Sequence, residues 1–157
     1  MGDNDYSNID VDNNIYIQSN FNLLNNSSSV IYNENNDRIY IGGMESYIKD
    51  KANINLLDEY QDISYKIILV HEGDYIDDIL EVIPDTNMIL AGHSLNGSVN
   101  VPFIKNIILP NGSKKYNKPY YKVNDTDIYI SNGIGVDRIN FRLFNTPSIN
   151  FYRFNSK

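Results

Sequence analysis

Two short apolar runs near the middle of the chain have the length and composition of buried strands. Tyr65 to Val70 and Met88 to Ala91 consist mainly of aliphatic residues, and both runs are too short to be buried helices. Between them, Tyr75 to Ile83 carries apolar residues at helical spacing and is stopped by Pro84. A strand, a helix and a strand of these lengths favour a parallel pair of strands joined by a right-handed crossover.

Further strands are predicted on both sides of this unit. Segments 28–32 and 38–42 flank the turn-forming run Asn33 to Asp37 and are expected to pair as a hairpin. Towards the C-terminus, four strands are predicted, at 120–123, 127–131, 140–144 and 149–154. A short strand at 22–24 and a short helix at 54–60 complete the pattern. Residues 1–20 are polar and irregular, so we interpret the chain as an N-terminal arm, extended or briefly helical, followed by one domain over 21–157.

Composition and charge narrow the classes of function. A chain of 157 residues is long enough for one domain with a sizeable core. Its net charge of −7 argues against direct nucleic-acid binding, which depends on clustered Lys and Arg. There is no cysteine to form a disulfide or a thiolate ligand. No apolar run reaches the roughly 18 residues of a membrane helix, and the acidic N-terminus does not resemble a signal peptide, so a cytoplasmic protein is expected.

The two histidines of the chain directly follow the two central strands. His71 comes after Val70, and His93 stands two residues beyond Ala91. Because the carboxyl ends of neighbouring parallel strands meet at one edge of a sheet, both imidazoles are expected at that edge, where ligands collect. Two histidines at one edge are able to share a metal, whereas an isolated loop histidine is more often bonded to backbone. The residues alone leave both interpretations open.

The residues around both histidines resemble two metal motifs of the calcineurin-like metallophosphoesterases. Leu69 to Asp74 (Leu-Val-His-Glu-Gly-Asp) is similar to the His-Glu-Pro-Asp strand end of that family, and Gly92 to Gly97 (Gly-His-Ser-Leu-Asn-Gly) to its Gly-His-(Ser/Thr)-His-Gly-Gly. The resemblance implies the C-terminal half of a four-layer fold in which two β-sheets pack face to face with helices outside. We therefore expect an α/β domain, a truncated half of that β-sandwich, with a mixed sheet and flanking helices.

The chain also departs from the family pattern. Leu95 replaces the second histidine of the last motif and cannot ligate a metal. Gly2-Asp3-Asn4-Asp5 resembles the family's Gly-Asn-His-(Asp/Glu), with Asp3 at the position of the asparagine ligand and Asn4 at that of the acid histidine. The two earlier motifs, Asp-x-His and Gly-Asp, would lie before Met1. The resemblance thus implies degenerate positions at Asn4 and Leu95 and leaves three residual metal-site candidates, Asp3, His71 and His93. These would bind at most one Mn²⁺ or Zn²⁺ weakly, and no cofactor is expected to be required.

Two classes of function follow from the resemblance and its departures. The favoured hypothesis is a catalytically inactive protein that keeps the scaffold in order to bind another protein as a regulatory factor. One such role is that of a phage or mobile-element accessory factor, for example a recombination directionality factor that redirects a DNA-bound serine integrase. The alternative is one subunit of a split metal-dependent phosphoesterase whose N-terminal half is a separate chain.

An assembly state follows from the two central strands. Both are apolar on both faces, as a sheet covered on two sides requires. If the other half of the fold is missing, one apolar face of the sheet is exposed to water. The simplest way to bury that face is a sheet-on-sheet homodimer. The interface candidates predicted from the sequence are Ile68 and Ile89.

Overall fold

The computed structural model describes residues 1–7, 15–55, 62–94, 109–135 and 142–155, and the statements below concern these residues. Six strands form one mixed sheet: β1 (Ser27–Tyr32), β2 (Arg38–Gly43), β3 (Lys66–Val70), β4 (Met88–Ala91), β5 (Tyr120–Val123) and β6 (Thr126–Ile130). The helix α1 (Ile76–Val82) follows β3 after a short 3-10 turn, Gly73–Tyr75. The expected α/β class with a mixed sheet is therefore confirmed.

The strands lie in the spatial order β1-β2-β3-β4-β6-β5. The four inner strands β2, β3, β4 and β6 are parallel to one another. An antiparallel hairpin closes each end of the sheet, β1 with β2 and β5 with β6, and the first of these confirms the hairpin predicted around the turn-forming run 33–37. In the centre of the sheet Ile68 pairs with Ile89 and Val70 with Ala91, so β3 and β4 end level with each other.

One face of the sheet is packed against α1. The helix presents Ile76 and Ile79 to the sheet, and both are fully buried, as the i, i+3 spacing predicted. Beneath them lie Ile68, Ile89 and Ile128, each with 0% exposure. The structure thus corrects the predicted interface candidates: Ile68 and Ile89 belong to the core under the helix, and neither has surface to offer a partner.

The opposite face of the sheet is only partly covered. Its side chains alternate with those of the core face, and Leu69 in the middle of β3 is 36% exposed. The segment 149–155 lies against this face, where the ring of Tyr152 packs 5.0 Å from that of Tyr129 and Phe154 packs 5.7 Å from Tyr65. The prediction of a strand at 149–154 was wrong: this segment covers the sheet with aromatic rings and does not pair with a strand.

The remaining predictions have mixed outcomes. The prediction of a strand at 22–24 was wrong: this segment pairs with no strand, and Leu24 packs on the backbone of Gly43 at the end of β2. The N-terminal arm contains a 3-10 turn, Asp5–Ser7, and a helical stretch at 15–18. Most of the predicted helix at 54–60, part of the predicted strand at 140–144 and Leu95 lie outside the described residues. Within the part of the chain that the structure describes, no helix is long and apolar enough to cross a membrane.

Candidate metal centre

Three of the side chains singled out in the sequence meet at the carboxyl edge of the sheet. His71 Nε2 lies 3.0 Å from Asp3 Oδ1. His93 Nδ1 lies 3.1 Å from His71 Nε2 and 3.5 Å from the same oxygen of Asp3. All three residues are partly buried, and together they form a group of oxygen and nitrogen atoms able to hold a metal ion.

The register of the sheet brings the two histidines together. Because Val70 and Ala91 are paired, the residues that follow them leave the sheet side by side. The Gly92 amide donates a hydrogen bond to the His71 carbonyl at 3.2 Å, and the two imidazole rings pack 4.8 Å apart. The location of both rings at one edge is the part of the site that strand pattern and topology alone predicted.

Asp3 reaches the site on the N-terminal arm. The backbone at Gly2 lies flat on the His71 ring, so closely that a Cβ atom there would come within 2.7 Å of Cε1. Further along, the Tyr6 hydroxyl donates a hydrogen bond of 2.9 Å to Glu45 Oε1, in the loop after β2. Burial and this hydrogen bond to Glu45 raise the pKa of Tyr6 to about 12. Asn4, next to Asp3, is exposed.

The backbone of His93 is in the left-handed region, with a φ of 62°. The Ser94 amide donates to the Gly92 carbonyl at 2.6 Å, which closes a tight three-residue turn around the histidine. Residues other than glycine enter this region at a cost of about 1–3 kcal/mol, and they are found in turns and, with some enrichment, at functional sites. The turn points the His93 side chain back towards His71.

The second ring nitrogen of His93 has its own partner. His93 Nε2 lies 2.7 Å from the backbone carbonyl oxygen of Asn111. Because a carbonyl only accepts hydrogen bonds, this contact assigns the proton of the neutral ring to Nε2. The Nδ1 lone pair then faces His71 and Asp3, which is the arrangement of a metal-ligating histidine whose other nitrogen is held by the protein. Asn111 is a site residue that the sequence did not predict.

The donor set and its spacing fit one divalent ion. Ligand atoms bonded to the same ion at about 2.1 Å are separated from one another by about 3.0–3.4 Å. Two of the three separations observed here, 3.0 and 3.1 Å, lie within that range, and the third, 3.5 Å, lies just above it. One carboxylate and two imidazoles suit Zn²⁺ or Mn²⁺, and three protein ligands leave positions for water.

The acidic residues beside His71 have structural partners. Glu72 is fully buried and accepts hydrogen bonds from Ser46 Oγ at 2.5 Å and from the Tyr47 amide at 3.0 Å. These bonds join the end of β3 to the loop that follows β2. Asp74 is half-buried and accepts backbone hydrogen bonds from the loop that contains Asn111. Glu72 and Asp74 therefore do not form a catalytic pair of carboxylates.

Comparison with known proteins finds sequence similarity to two curated proteins named as metallophosphoesterases. The chain is 31% identical over 100 residues to the uncharacterized metallophosphoesterase YkuE of Bacillus subtilis (strain 168), a match that covers 64% of this chain and 34% of that protein. It is 25% identical over 117 residues to the uncharacterized metallophosphoesterase YkoQ of the same strain, covering 73% of this chain and 43% of that protein. No family model and no solved structure matches the chain.

These similarities support a metallophosphoesterase-like relationship. The six-stranded mixed sheet is compatible with part of a metallophosphoesterase fold. The chain spans less than half the length of either of these curated relatives.

Proposed function

We propose that this chain is a metallophosphoesterase-like protein that binds one divalent metal ion and acts as a protein-binding regulatory factor, without hydrolysing phosphoesters by itself. The observation that carries the metal-binding part is the convergence of Asp3, His71 and His93 from three separate segments onto one point. A bound ion would act as a Lewis acid and lower the pKa of a coordinated water. The residues of this chain would fix the ion, and Asn111 would fix the orientation of His93.

Two residues within the chain support the non-hydrolytic part of the proposal. Phosphoester hydrolysis of the kind this family carries out uses two metal ions about 3.5–4 Å apart. Leu95 stands where the resemblance places a histidine ligand, and Asn4 stands where it places the acid histidine. A hydrocarbon side chain supplies no ligand, and an amide does not donate a proton as imidazolium does. We expect these two positions to prevent the chain from building the dinuclear centre.

The first prediction is weak binding of one Mn²⁺ or Zn²⁺ ion per chain, measured by isothermal titration calorimetry. Replacement His93→Ala removes one of three ligands and is expected to weaken the affinity at least tenfold, whereas Asp78→Ala, an exposed change on α1, leaves it unchanged. The wild-type protein with Mn²⁺ is expected not to hydrolyse an aryl phosphodiester. Mn²⁺-dependent turnover that His93→Ala abolishes would contradict the non-catalytic assignment, and an absence of metal binding would contradict the metal site.

A split phosphoesterase is the second candidate function. Two observations favour it: the ligand atoms are already at metal-binding separations, and the sheet face that carries Leu69 is partly open for another polypeptide. In that case a neighbouring open reading frame would encode Asp-x-His and Gly-Asp motifs. The second prediction tests this alternative: co-expression of the two chains is expected to yield a one-to-one complex with metal-dependent phosphodiesterase activity. If the neighbouring genes encode no such segment, the alternative is contradicted.

For the regulatory role, we propose a protein partner rather than nucleic acid or a membrane. The net charge of −7 is unfavourable next to phosphates but suits a protein that itself holds DNA, such as a recombinase. We also propose a homodimer, with the face of Leu69 and Leu90 as its contact, because Leu69 is 36% exposed whereas Ile68 and Ile89 are fully buried. Affinity capture from the native host tests the protein partner, and light scattering tests the homodimer.

A further inference from the structure

The loop that supplies Asn111 is attached to the 3-10 turn after β3 by the Asp74 carboxylate. Asp74 Oδ2 accepts a hydrogen bond from the Lys114 amide at 2.8 Å, and Oδ1 accepts from the Lys115 amide at 2.8 Å and from the Tyr116 amide at 3.4 Å. In return, the Asp74 amide donates to the Gly112 carbonyl at 2.9 Å. Further along, Asp77 on α1 accepts hydrogen bonds from Lys115 Nζ at 2.6 Å and from the Tyr116 hydroxyl at 2.8 Å. Hydrogen bonds to an ionised carboxylate are about twice as strong as those between neutral groups, so this is a firm attachment.

The attachment holds the loop close to the end of β3. Gly112 has a φ of 83° and approaches the Glu72 side chain so closely that a Cβ atom would lie 3.0 Å from Glu72 Cβ. Only glycine combines that backbone conformation with that approach at little cost. Asn111, the residue before it, therefore has little freedom, and its carbonyl is held against His93 Nε2.

We propose that Asp74 is a positioning residue of the metal site: it acts through the loop 111–116 to hold the Asn111 carbonyl on His93 Nε2, so that Nδ1 is the bare ring nitrogen that faces the ion. The two nitrogens of neutral His93 face different groups. Nδ1 lies 3.1 Å from His71 Nε2 and 3.5 Å from Asp3 Oδ1, and the Asp3 carboxylate favours a proton on Nδ1, whereas the Asn111 carbonyl, 2.7 Å from Nε2, favours it on Nε2. By holding Asn111 in place, Asp74 keeps Nδ1 unprotonated and available to the ion. This inference deepens the proposed metal-binding function. Only the expected effect on metal affinity rests on that function, because the effect on the His93 ring does not require a bound ion.

The decisive experiment records long-range proton–nitrogen spectra of the metal-free, ¹⁵N-labelled full chain at about pH 9, where imidazole is neutral. In the wild type, His93 is expected to carry its proton on Nε2. In Asp74→Ala, the signals of His93 are expected to shift towards the form protonated on Nδ1. Asp78→Ala removes an equal charge from an exposed position on α1 and is expected to match the wild type. A His93 ring with the same protonation in Asp74→Ala as in the wild type overturns the proposal.

Metal affinity provides the second measurement. Loss of a residue that supports a ligand typically weakens metal binding about 10–100-fold, and we expect a change of that size for Zn²⁺ with Asp74→Ala and none with Asp78→Ala. If Asp74→Ala does not fold, Asp74→Asn retains one acceptor oxygen and is expected to show the same shifts at smaller amplitude. If the wild type binds no Zn²⁺, the proposed function fails, and the metal-free spectra still decide whether Asp74 positions His93.

Discussion

Ile68→Asp is expected to abolish folding. Ile68 lies at the centre of the core with 0% exposure, between β2 and β4 and under α1. The change removes a buried aliphatic side chain, which costs roughly 2–5 kcal/mol, and buries a carboxylate with no positive partner, which costs several kcal/mol more. The sum is comparable with the roughly 5–15 kcal/mol that stabilises a whole domain. Circular dichroism is expected to show a loss of the native signal.

The matched control is the next residue. Leu69 has its side chain on the opposite face of the same strand and is 36% exposed, so Leu69→Asp is expected to fold with a much smaller loss of stability. If the face of Leu69 joins two copies of the chain, this variant is expected to scatter light as a monomer while the wild type scatters as a dimer. An equal loss of stability from the two substitutions would show that both faces of β3 are equally buried, which contradicts the fold described.

A second large loss of stability is expected from Asn26→Ala. The Asn26 side chain is buried and makes four hydrogen bonds: its amide nitrogen donates to Glu45 Oε2 and the Lys51 carbonyl, and its oxygen accepts from the amides of Glu45 and Asn53. Truncation leaves several of these groups without partners, at about 1–3 kcal/mol each. The expected loss is about 3–5 kcal/mol of unfolding free energy, measured by urea denaturation.

Asn36→Ala separates the backbone contribution from the hydrogen bonds. Asn36 has a φ of 61°, similar to the 45° of Asn26, but its side chain is exposed in the turn between β1 and β2. Placing alanine in this left-handed conformation costs roughly 1–2 kcal/mol, so Asn36→Ala is expected to lose that amount and no more. Equal losses at the two positions would mean that the four hydrogen bonds of Asn26 contribute nothing.

The proximity of His71 and His93 was predictable because it depends on the strand–helix–strand pattern between residues 65 and 91. A strand, a helix and a strand of the observed lengths leave few ways to connect, and the ends of parallel strands share an edge. The position of Asp3 followed only from the resemblance of Gly2-Asp3-Asn4-Asp5 to a metal motif. No periodicity in residues 1–20 indicates that the arm returns to the sheet, because that return depends on distant contacts such as Tyr6 with Glu45.

The assignment of the two sheet faces was not predictable from the sequence. The four apolar residues that follow Lys66 in β3 carry no alternation, so they do not distinguish the side of Ile68 from the side of Leu69. Lys66 itself lies on the side of Ile68 and is buried with its amine on Asp85, so the one charged residue of the strand does not mark an exposed face. The strand predicted at 149–154 was wrong for a related reason. Aromatic residues are favoured in strands, but they also pack on a sheet from a segment without regular structure. Asn111 contributes to the site through its backbone carbonyl, and since every residue has such a carbonyl, the sequence does not indicate which one is used.

The left-handed backbone at His93 has a consequence for protein engineering. A search for stabilising substitutions favours glycine at such a position, because glycine adopts this conformation without the steric cost that histidine bears. Selection for thermal stability alone would therefore tend to remove His93, and with it the nitrogen that faces Asp3 and His71. A stabilised variant of this protein should keep residue 93 fixed and seek its gains elsewhere, for example at the exposed apolar residues Phe144 and Phe151.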